Sequence, residues 1–203
     1  RAVTGGANAT DHKIWAETVT GVRRAFCYSG RPASEGDSYP GDRQIYIETV
    51  SSLDPDGIAD TVILNEVRAA INYDESGESR APLGITDENM FVESITRTGF
   101  YVEVRDFNVD ADKEFLCKNA ITAACRAYLD SVTPFVDGVD LVQEKNSQIS
   151  SPSISSIVYD VLVAYGATAS SVGFGYISGV FLSQYTLGQG ELAKLISVSY
   201  TTT

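Results

Sequence analysis

The sequence predicts an α+β fold made of two small consecutive domains, each with helices packed on a mainly antiparallel sheet. Three observations carry this. Stretches such as "VRRAFCYS" (22–29) and "RQIYIETV" (43–50) alternate with the period of a strand. Stretches such as "IADTVILNEVRAAI" (58–71) repeat apolar residues at helical spacing. The two kinds then follow each other as helix-strand-strand-helix-strand over 1–97 and as strand-helix-helix-strand-strand over 98–203, an order that suits sheets covered by helices. The boundary is expected at 96–99, and two units this small call for an intimate interface.

The elements follow in chain order. Residues 8–20 read as a helix capped by Asn8 or Thr10, with Ile14, Trp15 and Val19 as its apolar stripe, stopped by Gly21. Strand 22–29 comes next, turning Val22, Ala25 or Phe26 inward. The turn-rich "GRPASEGDSYPGD" (30–42) reads as a mobile loop before strand 43–50. Asp54 and Pro55 are expected to start the second helix, whose inner residues are Ile58, Val62, Ile63, Val67, Ala70 and Ile71. Strand 89–95, a break at Arg97-Thr98-Gly99 and strand 100–109 lead to helix 112–131, with Leu116, Ile121, Ala124, Cys125 and Tyr128 inside. A polar, loop-like insertion (133–152) precedes helix 153–165, capped by Ser153, with Ile154, Ile157, Val158, Val161, Leu162 and Tyr165 on one face. The chain closes as two strands joined by a turn near Gly188 and Gly190.

The bulk properties exclude several functions. Apolar residues make up 43% and charged residues 21% of 203, the balance of a folded globular chain. The net charge of −12, from 27 acids against 15 bases, repels phosphate and disfavours nucleic acid as a partner. No apolar run reaches the ~18 residues a membrane-spanning helix needs, so no membrane partner is expected. Cys27, Cys117 and Cys125 form no CxxC pair; they read as small buried hydrophobes of a chain made in a reducing compartment. The chain opens at Arg1 without an initiator Met or a leader, which suggests a piece of something longer.

Chemistry is sparse. His12, the single histidine, adjoins Asp11, but neighbours in a helix do not face each other, so it reads as a solvated residue of the first turn. Trp15 reads as a core anchor. Asp54 with Asp56, and Asp106 with Asp110, are more simply caps and solubilising charges than a calcium loop or a glycosidase pair. "GFGYISG" (173–179) fails the GxGxxG spacing, and Arg23 and Arg24 are too few for a nucleic-acid footprint. No catalytic, cofactor-binding or metal-binding residues are expected, and no cofactor.

Two stretches carry a resemblance. "TGGANATDHKIWAETVTGVRRAFCY" (4–28), with Gly5, Gly6, Ala9, Asp11, Trp15, Ala16, Val19, Gly21, Val22 and Ala25 in place, resembles the opening of the phage baseplate J-like family. This is the Mu-type group, related to the baseplate wedge proteins of contractile tails. "SRAPLGI" (79–85) looks like the family's "R-P-[IL]-G-A" turn through Arg80, Pro82 and Gly84, and "NMFVESITRTGFYVEVRDFNVD" (89–110) like the strand pair after it. The order of elements agrees along almost all of the chain, whereas loops 30–42 and 133–152 look longer than the family's and its amino-terminal region is missing.

The resemblance implies a non-enzymatic structural subunit of a tail baseplate or related contractile injection machine. Its partners would be other baseplate subunits and copies of itself in a sixfold ring. It would be located in the virion after assembly in the bacterial host cytoplasm. Gly5, Gly6, Trp15, Gly21, Val22, Arg80, Pro82 and Gly84 would then be structural motif residues. Two other functions compete. One is a tail-associated glycan-binding adhesin using tyrosines and loops 30–42 and 133–152. The other is a cell-wall hydrolase using a carboxylate such as Asp54 or Asp106.

Overall fold

Asn8 starts the first helix by accepting the Asp11 N–H at 3.0 Å, while the Asp11 carboxylate accepts the Asn8 N–H at 3.3 Å. This reciprocal pair satisfies two of the donors that a helix start leaves open. Helix α1 (Ala9–Glu17) follows in the computed structural model of the chain, which describes residues 8–32, 35–37, 39–80, 86–176 and 180–202. The fold is α+β, with helices and small mixed sheets among the described residues. The chain divides into two compact units, residues 1–96 with 135–145 and residues 97–134 with 146–203.

In the first unit, β1 (Val22–Ser29) pairs antiparallel with β2 (Arg43–Thr49), and β2 pairs parallel with β3 (Met90–Ser94). The parallel pair needs a crossover, which α2 (Thr61–Asn72) supplies. Ala25, Cys27, Ile45, Ile47 and Val92 meet Ala16 of α1 and Val67 and Ile71 of α2 in one core. Ile45, Ile47 and Ile71 are fully buried, each worth about 1.5–3 kcal/mol relative to exposure. The cap of α2 is Asp60, whose side chain accepts the Ile63 N–H, rather than Asp54. Asp54 instead closes a tight turn by accepting the N–H groups of Asp56 and Ile58, and Ile58 and Val62, expected inside, are exposed. Ile14 is also exposed, which narrows the apolar stripe of α1.

In the second unit, β4 (Thr96–Arg105) is the middle strand of the order β6-β4-β8, with β6 (Ser171–Gly175) antiparallel to it. Hydrogen bonds join Arg97 to Ala193, Val102 to Ser199 and Val104 to Thr201, so β8 (Glu191–Tyr200) advances with β4, parallel to it. The sheets therefore mix both senses. Residues 97–99, expected as a break, belong to β4. Gly99 suits this place because a Cβ would lie 2.7 Å from the Ile196 side chain on the neighbouring strand.

Helix α3 (Glu114–Ser131) packs on β8, α4 (Ser151–Tyr165) on β6, and the two helices on each other. Cys117, Ile121, Cys125 and Leu129 form the inner stripe of α3; Leu116, expected inside, is exposed. Ser150 rather than Ser153 caps α4, and Gly166 ends it in the left-handed conformation at φ 67°.

Two further expectations are corrected by the strands. Segment 133–152 is not a plain polar loop. It buries Val136 and Ile149 and contributes β5 (Gln148–Ser150), which pairs antiparallel with β7 (Gln184–Thr186). Among the described residues the closing strands are three rather than two, and they form no mutual hairpin because β6 pairs with β4, β7 with β5 and β8 with β4.

Candidate functional site

The two motif stretches meet at one place in the first unit. Helix α1 presents His12 and Trp15 a turn apart, with the rings edge to face at 5.6 Å between centres. Arg80, beyond the end of α2, lays its guanidinium over the Trp15 ring at 4.1 Å. The same guanidinium donates to the carbonyls of Ala70 (2.5 Å), Ile71 (3.1 Å) and Tyr73, and the Arg80 N–H donates to the Asn72 carbonyl at 2.7 Å. These are the open carbonyls of the α2 C-terminus, where a cation also suits the helix dipole. One arginine thus ends α2 and clamps it to α1.

His12 is corrected from solvated to buried, at 3% exposure. Burial, with Arg43 and Arg80 nearby, pushes its pKa down to about 4 from 6.5, and its Nδ1 is buried without a hydrogen-bond partner. Asp11, its neighbour in sequence, is occupied by the capping box. A neutral imidazole, buried and wedged against Trp15, serves packing.

Gly21 turns the chain from α1 into β1 at φ +96° and accepts the Val50 N–H at 2.9 Å, tying the turn to the end of β2. Val22 is half-buried on the same core. A bulge between Val22 and Arg24 then brings two successive arginines to one acid. Arg23 reaches the fully buried Glu48 at 3.1 Å, and Arg24 reaches its other oxygen. Sequence reading misses Glu48 because the alternation of β2 places it on the outer face. Gly5, Gly6, Pro82 and Gly84 lie outside the described residues.

The other candidates hold local structural posts. Asp106 accepts the Ser170 hydroxyl at 2.5 Å, and Asp110 pairs with Lys113, which holds its pKa below the usual carboxylate range. Burial pushes the Cys27 thiol up to about 12 and Cys125 up to about 11, the opposite of what a nucleophile needs. Among the described residues, no three His, Cys, Asp or Glu side chains gather to hold a metal ion, and no helix is long and apolar enough to cross a membrane.

In loop 30–42, Arg31 pairs with the buried Asp42 at 2.8 Å and lies over the rings of Tyr39 and Phe91. Beside it is an open cleft of about 620 Å³ lined by Glu35, Arg68, Asn72, Tyr73, Asp87 and Phe91, among others.

No protein-family model matches the chain, and no curated protein matches it. Fourteen solved chains are similar in structure. One is a chain of the cryo-EM structure of the anti-feeding prophage baseplate, 6-fold symmetrised, similar at 9% identity and a TM-score of 0.47 over 93% of the present chain. The match spans 37% of the length of that protein.

Proposed function

We propose that the chain is a non-catalytic structural subunit of a contractile-tail baseplate, of the J-like wedge type. It acts by assembly with other baseplate subunits and with copies of itself around a sixfold axis. The clamp of Arg80 on Trp15 carries this reading, because it joins the two stretches that resemble the family into one structural lock. The groups best suited to catalysis point the same way: His12 is held neutral in packing, Asp54 closes a turn, Asp106 accepts from Ser170 and Asp110 is held in an ion pair. The two units are proposed as the domains that carry the contacts, the acidic surface favouring correct partners over wrong ones. Deleting the gene tests the reading: tails should then lack baseplates in electron micrographs, and normal baseplates would refute it.

One observation favours a second reading. The cleft beside loop 30–42 combines Tyr73 and Phe91 with Arg68, Asn72 and Asp87, a lining suited to a glycan. Binding of the chain to host-surface glycans, lost in Phe91→Ala, would support that adhesin role.

A further inference from the structure

Ile58 and Val62 are left out of the core, and with Leu53 they form an exposed apolar group at the start of α2. The group is concave. Together with Ile63, Thr49, Asp54 and Asp60 it lines a cavity of about 220 Å³ in the first unit. Small-molecule sites usually occupy about 300–1,000 Å³, so a cavity of this size suits a single long side chain. Gly21 leaves room for one wall, since a Cβ there would lie 2.6 Å from Leu53 and 3.4 Å from Ile63.

The lining is acidic as well as apolar. Asp54 accepts the N–H groups of Asp56 and Ile58 with Oδ1, at 2.8 and 3.0 Å. Asp60 accepts the Ile63 N–H with Oδ1 at 2.9 Å. The Oδ2 atom of each carboxylate meets no partner among the described residues. None of the described residues that line the cavity is Lys or Arg, and Arg23 and Arg24 of β1 are held by Glu48.

We propose that this cavity receives an arginine side chain of a neighbouring protein subunit. The aliphatic stem lies along Leu53, Ile58, Val62 and Ile63, and the guanidinium meets the open oxygens of Asp54 and Asp60. Charge selects this occupant over a purely apolar one, because both carboxylates border the cavity with no cation in its lining to balance them. The weakly hydrated guanidinium suits so apolar a site better than an ammonium does. Arginine is also among the residues that most often anchor protein interfaces. The contact specifies one partner of the assembly reading and rests on that reading only in expecting a neighbouring subunit.

Amide NMR of the 203-residue chain, titrated with the peptide acetyl-Gly-Arg-Gly-amide, tests this without tails. Its failure is therefore separate from failure of the baseplate reading. The expected result is saturable shifts at Leu53, Ile58 and Ile63 with a midpoint of about 1–10 mM. The same peptide with citrulline, which keeps the shape and loses the charge, should bind at least about tenfold more weakly. So should acetyl-Gly-Leu-Gly-amide. Asp54→Asn combined with Asp60→Asn should abolish the shifts and leave the circular dichroism unchanged, because Asn closes a turn and caps a helix as Asp does. The citrulline comparison decides the matter if that double variant fails to fold. Absence of saturable shifts at these residues, or equal binding of the citrulline or leucine peptide, overturns the proposal.

Discussion

The guanidinium of Arg80 lies 4.1 Å from the centre of the Trp15 ring while it caps the last carbonyls of α2. Arg80→Ala removes both contacts and is expected to lower the unfolding free energy by about 2–3 kcal/mol. Arg80→Lys should recover little, because an ammonium cannot reach several carbonyls and cover a ring together. Urea denaturation checks this; a loss below about 0.5 kcal/mol in Arg80→Ala would contradict the clamp.

Glu48 is fully buried between two arginines. Glu48→Gln leaves Arg24 facing a neutral group inside the protein and should cost about 3 kcal/mol. The same change at the exposed Glu66 should cost less than about 0.5 kcal/mol. The two denaturation midpoints give the comparison, and equal midpoints would contradict a role for the buried pair.

His12 sets a pH window. Its folded pKa of about 4 lies below the ordinary 6.5, so the unfolded chain takes up the proton first as pH falls. The stability it supports is complete above pH 6.5 and is lost as pH falls towards about 4, by about 2–3 kcal/mol. Asp42 and Asp110, held below the carboxylate range by Arg31 and Lys113, act at lower pH. His12→Gln should flatten the profile between pH 6.5 and 4, and an unchanged slope would show that His12 is not its source.

Gly21 combines a φ of +96° with a crowded Cβ position, 2.6 Å from Leu53 Cδ1, whereas Gly77 has φ +85° and open space. Gly77→Ala should cost about 1 kcal/mol from the backbone alone, and Gly21→Ala more. Thermal unfolding of the two variants measures the difference; equal losses would mean that Leu53 yields freely.

Local rules make much of the fold legible. Asn8, the alternation of β1 and β2 and the stripe Ile154, Val158 and Leu162 each declare an element through neighbouring residues. What is not legible depends on distant partners. Asp54 and Asp60 are equally good caps in sequence, and only the pairing of Ile58 with Glu48 assigns Asp54 to a turn. Gly99 reads as a break until Ile196 is seen across the strand. His12 reads as solvated because nothing near it in sequence announces Arg80 or Arg43. Within the candidate site, Trp15 and Arg80 are both marked by the resemblance, but their contact belongs to the tertiary structure.

Quantitative mass spectrometry of purified tail particles from the source is the most direct test of the structural role. A baseplate subunit arranged about a sixfold axis must be present at a copy number divisible by six. Absence from the particles, or a threefold count matching fibre tips, would contradict the assignment.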